Sequence, residues 1–374
     1  MTRPSLVRPT LLPGLPRLWR DRHNLQLGVD PARAVVLELA DPRAARLLDL
    51  LDGAHSERAV LERAARFDVT PADARTLLDT LRTAGLVLGA QALLPHGLPE
   101  PARARLAVEA AALARRGPDT AATPAQALRR RAHARVVVSG PGRLAAPVAV
   151  AIAQAGVGHV HPELDGTVGR AEIVGSPLSD ADVDRPRAHA VAAAIERAAP
   201  GTDVRPVRRG AATLVVDVSA AKPAALLAAA YAQRRQAHLM VAVRDGVAVV
   251  GPLVPPAGSP CLNCLELHRR DRDPAWPQLA AQLATGPGAL AEPCEVGTVL
   301  AAAGFAAAEA LGYLDGLAST TLGATVEIAA PGRLRRRTWT PHPACECGPT
   351  RRPRPAPRSH SRAGAPTQSP PESV

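Results

Sequence analysis

Residues 136–160 read "VVVSGPGRLAAPVAVAIAQAGVGHV". A run of valines enters Gly140-Pro141-Gly142, and an alanine-rich helical pattern follows and ends at Gly156. A strand that passes through a glycine turn into a helix is the opening unit of a nucleotide-binding α/β fold. Gly140 and Gly142 serve the tight turn, and Ala145 replaces a third glycine, a change that helix–strand packing tolerates. Pro141 removes one backbone N–H, and with it one donor for a phosphate. Arg143 follows the turn directly.

Downstream, elements alternate by type: strand 157–161, helix 186–199, strand 213–218, helix 222–235, then strands 238–243 and 247–250. That order predicts an α/β domain with a doubly wound, mostly parallel sheet. A small-residue helix at 297–316 and two late strands, "TTLGATVEIAA" and "LRRRTWT", complete it, so the domain spans 133–348. Before it, residues 1–90 form a separate small unit. "HNLQLG" and "AVVLEL" predict a hairpin. Three helical patterns follow, over 41–53 behind Asp41-Pro42, from Ser56, and over 70–85 behind Thr70-Pro71. Strands with three such helices suggest a winged-helix-like module. Residues 91–132, rich in Ala and Arg, are a helical connector, and 349–374 is a Pro/Arg-rich tail too polar to fold.

The net charge of +11 raises the question of nucleic acid. Lys222 is the only lysine, so the basic charge is arginine, a bias that a GC-rich codon usage also produces. Aromatic residues make up 2% of the chain, which leaves few stacking platforms for single strands. The third helical pattern sets Arg75 and Arg82 against Asp73 and Asp79, a poor face for DNA phosphates. No run of about 18 uninterrupted apolar residues predicts a membrane span, and the N-terminus lacks a signal-peptide core. A cytoplasmic protein is expected.

Four of the five cysteines form two close pairs, Cys261-x-x-Cys264 and Cys345-x-Cys347. Two disulfides are disfavoured in the cytoplasm, and a redox CxxC lacks a thioredoxin-like context. Four thiolates suit a structural, tetrahedral Zn²⁺, with His342 an alternative ligand to one thiol of the second pair. Cys294, in "AEPCEVGT", is either a small buried residue at a helix start or a nucleophile.

The ordered set "GPGRLA", "LVVDVS", "HLMVAVRDGVAVVGPLVPPAGSPCLNC", "CEVGTVLAAAGFAAAEALGYLDG" and "CEC" resembles the E1-like, ThiF/MoeB-type superfamily of ATP-dependent adenylating proteins. It covers about residues 132–348. With the preceding module, and with "LLPGLPRLWRDRHNLQLG" and "CLELHRRDRDPAWPQLAAQL", the chain is similar to actinobacterial leader-peptide-binding, cyclodehydratase-associated proteins of ribosomal peptide (azole/azoline) modification. The resemblance implies a Rossmann-like E1/ThiF domain whose cysteine pairs hold structural zinc. It also implies a leader-peptide ligand, a YcaO-type cyclodehydratase partner, and pairing of chains through the E1-like domain.

Adenylation needs a phosphate turn, an acid for the ribose, cations, and a carboxylate for Mg²⁺. By resemblance, Gly140, Gly142 and Arg143 fall at the turn and Asp165 at the ribose acid. Arg187 stands where a lysine is expected, and the Asn-Leu-x-Arg-Gln-like segment is absent. In "DVSAA", Asp217 is retained, but Ala220 occupies the position of the metal-handling aspartate. The resulting expectation is a vestigial nucleotide site, no use of ATP or Mg²⁺, and no catalytic residue beyond the weak candidates Cys294 and Asp217. On that reading the chain is a non-catalytic, leader-binding scaffold. The alternative is an active adenylyltransferase that activates a peptide or protein carboxylate.

Overall fold

Alternating leucines organise the first unit, and alternating valines the second. The fold is seen in a computed structural model that describes residues 6–116, 122–207, 212–218, 224–285, 293–330 and 332–347. Ala220 and the tail at 349–374 lie outside the described residues.

The chain begins with Pro9–Leu11 (β1), Arg17–Trp19 (β2), Asn24–Leu27 (β3), Val35–Glu38 (β4), Glu57–Ala64 (α1) and Pro71–Thr83 (α2). Val87–Gly89 (β5), Ala90–Leu93 (α3), Glu100–Ala114 (α4) and Pro124–His133 (α5) follow. The predicted hairpin is present as antiparallel β3–β4, and β2 adds a third strand beside β3. Leu25, Leu27 and Leu37 turn to one face and are buried, as period-two spacing requires. Ser56 and Thr70 cap α1 and α2 through their hydroxyls, as their position before each helix predicts.

The helix expected over 41–53 is instead a 3-10 helix at Pro42–Leu50. Leu51 O accepts from Leu11 N at 2.8 Å, so strand β1 takes a hydrogen bond at the point where the helix ends. The β1–β5 pairing joins residues about eighty positions apart, and local patterning does not announce it. Residues 91–132 supply α4 and α5, whose Leu106, Ala110, Leu113, Ala127 and Leu128 are part of the first core.

The second half runs Arg135–Ser139 (β6), Ala145–Gln154 (α6), His159–Glu163 (β7), Arg187–Ala198 (α7), Leu214–Asp217 (β8) and Ala224–Gln233 (α8). It continues with His238–Arg244 (β9), Val247–Val254 (β10), Leu262–Arg272 (α9), Trp276–Thr285 (α10), Val296–Asp315 (α11), Ala324–Ala329 (β11) and Arg333–Thr338 (β12). One seven-stranded sheet has the order β12-β11-β10-β9-β8-β6-β7. Strands β7, β6, β8 and β9 are parallel, whereas β9 to β12 form an antiparallel meander, so the sheet is mixed and not mostly parallel. The cause is local: Asp245 and Gly246 have φ of 51° and 81°, the two left-handed residues of a tight hairpin turn, which reverses the chain after β9.

Helices α6, α7 and α11 pack on one face of the sheet, and Tyr231 of α8 and Leu262 of α9 form a smaller cluster on the other. Helix α11 is long and apolar enough to cross a bilayer, yet Val299, Ala302, Ala306 and Ala310 are buried beneath the sheet, as in a core helix.

The two halves meet at Arg131 on α5, which is fully buried. Its Nε and Nη2 donate to Asp315 at 2.8 and 2.7 Å, and its Nη1 donates to Glu109 at 2.6 Å and to Ala155 O at 2.9 Å. Arg116 reaches the same Asp315 carboxylate at 2.6 Å. Three residues after Ala155, Gly158 lies so close to Ala132 O that an added Cβ would sit 2.0 Å from it. A buried charge that loses its partner costs about 3–5 kcal/mol. Asp315→Ala is therefore expected to lower the unfolding free energy by about that amount in urea titrations, whereas removing the exposed Arg58–Glu62 pair should change it little.

Candidate functional site

Strand β6 lies between β7 and β8, and the chain visits β7 first and then crosses to β8. The carboxyl ends of β6 and β8 therefore flank the topological switch point, where ligands of open α/β sheets bind. Three side chains mark that edge: Ser139, Glu163 and Asp217, the last residues of β6, β7 and β8. Gly140 and Gly142 have φ of 95° and 117°, a region closed to side-chain-bearing residues, which explains both glycines. The first turn of α6 has no side-chain cap, so its backbone N–H groups face the turn without a side-chain acceptor.

The two cationic candidates among the described residues, Arg143 and Arg187, both bond to the protein itself, although Arg143 Nε is buried without a partner. Arg143 donates to Cys294 O at 2.6 Å and to Val174 O at 3.2 Å, clasping the turn to the segment that enters α11. Arg187 makes a two-pronged pair with Glu172, both bonds 2.8 Å, donates to Thr167 O at 2.6 Å, and contacts Asp165 O with its remaining terminal nitrogen. Its donors close the 165–172 loop and leave none directed at a ligand. Asp165 itself is exposed, in the turn after β7.

Asp217 is buried and accepts a 2.8 Å hydrogen bond from the Tyr231 hydroxyl. Burial, with Asp217 alongside, holds Tyr231 protonated far above the ordinary phenol range. The Tyr231 ring stacks on His238, with centroids 4.2 Å apart. Burial pushes His238 down to about 4, so the imidazole is neutral near pH 7. Cys294 is half-buried against the main core, with Sγ 3.8 Å from Gly246 O.

The two cysteine pairs come together. The Sγ atoms of Cys261, Cys264, Cys345 and Cys347 all lie within 4.8 Å of one another. Cys261–Cys345 and Cys264–Cys347 are 3.7 and 3.2 Å apart. A tetrahedral sulfur site with metal–sulfur bonds near 2.3 Å has edges of about 3.8 Å, so a metal ion fits with small adjustments. Outer donors are in place: Asn263 Nδ2 and His342 N each lie 3.4 Å from a sulfur, Cys345 and Cys264 respectively. Burial pushes Cys264 up to about 11, and Cys261 further still, so without a cation these thiols keep their protons. His342 does not serve as a ligand: Nδ1 accepts from Ala344 N at 3.1 Å, and Nε2 meets Asp271 at 2.7 Å.

Sequence reasoning finds the glycine turn, Asp217 and all four cysteines. It misses Tyr231, Glu172 and Arg131, whose roles depend on partners distant in sequence or on burial. For Tyr231 the one available signal is that only two tyrosines occur in the chain.

No family profile matches the sequence, and no curated protein is significantly similar to it. Solved structures are. E. coli MccB with ATP superposes with a TM-score of 0.62 at 14% identity, covering 91% of this chain and 99% of that one. The microcin C7 biosynthetic enzyme MccB in complex with N-formylated MccA gives 0.61 at 14%, with the same coverage. A heterocyclase in complex with substrate and cofactor gives 0.55 at 14%, covering 88% of this chain and 38% of that one. The likeness to MccB extends through both halves, and the chain has the E1-like fold that its motifs lead one to expect.

Proposed function

We propose that the chain is a non-catalytic scaffold that binds the leader segment of a precursor peptide and presents it to a partner modifying enzyme of the YcaO cyclodehydratase type. One observation carries the non-catalytic part: the retained acid and the retained cation are both spent internally, Asp217 on Tyr231 and Arg187 on Glu172. An enzyme that builds an acyl-adenylate needs such groups free to meet metal and phosphate. The chemistry of the related folds supports the peptide part, since MccB is known in complex with the peptide MccA and the heterocyclase with its substrate.

In the winged-helix-like module, β4 is an edge strand among the described residues, and an added peptide strand is the simplest ligand for such an edge. Helix α2 presents Thr76, Asp79, Thr80, Thr83 and Ala84 as an exposed strip. A labelled cognate leader peptide is expected to bind the full chain saturably in fluorescence anisotropy. Thr80→Arg should weaken it about tenfold, the loss of about 1.4 kcal/mol. Absence of saturable binding, or indifference to that substitution, would remove the support for this surface.

The four thiols hold zinc in this reading, and the ion staples the start of α9 to the segment after β12. It contributes rigidity and no chemistry, because four sulfur ligands leave no open position. Protein purified without chelator should carry one zinc per chain by mass spectrometry, and Cys264→Ser should lose it and lower the melting temperature. Metal-free protein of unchanged stability would contradict the assignment.

A further inference from the structure

Strand β12 closes one end of the seven-stranded sheet and pairs with β11 over all six of its residues, without a bulge. Among the described residues its other backbone edge is unpaired. Such an edge is a template for another strand, and natural sheets guard it with bulges, prolines or charge. Here the only guard is arginine: the strand reads Arg-Leu-Arg-Arg-Arg-Thr from Arg333 to Thr338, and five of the six residues are exposed.

Register places Arg333, Arg335 and Arg337 on one face, opposite Ala329, Glu327 and Thr325. Arg337 sits against Glu327, Nε to Oε1 2.5 Å, in an ion contact without hydrogen-bond alignment. Arg333 and Arg335 have no ion-pair partner among the described residues. Alternate residues of a strand are about 6.7 Å apart, the same spacing that alternate side chains of an added strand present. A second copy of this edge would set arginine against arginine, and like charges directly opposite are destabilising.

We propose that the β12 edge is a docking site for an extended acidic segment of a partner polypeptide, which adds as an eighth strand. Backbone hydrogen bonds along the edge supply the pairing, and carboxylates at alternate positions meet Arg333 and Arg335 in charge-assisted bonds. This surface lies on the E1-like half and does not depend on leader recognition by the first module.

The probe is a fluorescein-labelled octapeptide of alternating Glu and Thr, titrated into the full chain, with a Gln-Thr octapeptide as control. Saturable binding of the acidic probe alone is expected. The double variant Arg333→Glu/Arg335→Glu should weaken it about tenfold or more, and raised salt should weaken it further. Arg129→Glu/Arg234→Glu, an equal change of net charge at exposed sites elsewhere, should leave it unchanged. Hydrogen exchange should slow at residues 333–338 on binding. The proposal is overturned if the acidic probe does not saturate, if both double variants weaken it alike, or if exchange at β12 is unmoved. It is also overturned if duplex DNA of similar length competes more tightly through the same two arginines.

Discussion

The fully buried Arg131 guanidinium fixes the relation between everything before β6 and everything after it. It lies two residues before the end of α5, and α5 leads straight into β6, the strand that carries the glycine turn. Burying such a cation is costly, and it is tolerable only where its N–H groups meet acceptors in good geometry. Asp315, Glu109 and Ala155 O supply them from α11, α4 and the end of α6. Four helices are thus held in one arrangement by one side chain, and the first module is seated on the E1-like domain as a consequence.

The switch-point edge keeps the glycine turn of a nucleotide-binding architecture. Gly140 and Gly142 are required by their backbone angles whether or not a phosphate is present, so the turn persists for its own conformational reasons. The charged groups around it bond to other groups of the protein. Arg143 clasps Cys294 O and Val174 O, Arg187 closes its own loop on Glu172, and Tyr231 covers Asp217. Arg187 and Tyr231 are satisfied by these contacts, whereas Arg143 Nε is buried without a hydrogen-bond partner among the described residues. Freeing Arg187 or Tyr231 for a ligand would leave its partner unsatisfied, at a cost of about 1–3 kcal/mol.

What the sequence made legible followed from local rules. Hydrophobic period, Ser56 and Thr70 as caps, and cysteine spacing located β3, β4, α1, α2 and the thiol cluster. Asp245-Gly246 carried the signal for the antiparallel half of the sheet, which a reading based on alternating strands and helices passed over. Long-range choices were not legible. Nothing in "ALRRRAHA" distinguishes Arg131, fully buried, from the exposed Arg129 and Arg130, because their difference is made by α11 nearly two hundred residues away. The same holds for His342, whose ring looked like a ligand by sequence position and is turned to Asp271 by the fold.

On the proposed reading, this domain does not bind nucleotide. Isothermal calorimetry of the full chain with Mg-ATP measures that directly. No saturable heat is expected up to about 1 mM, a free energy no better than about −4 kcal/mol, and the same for a Tyr231→Phe variant that removes the hydroxyl's hydrogen bond to Asp217. Saturable micromolar binding by the unaltered protein, accompanied by ATP–pyrophosphate exchange that Asp217→Ala abolishes, would contradict it and establish an active adenylating enzyme.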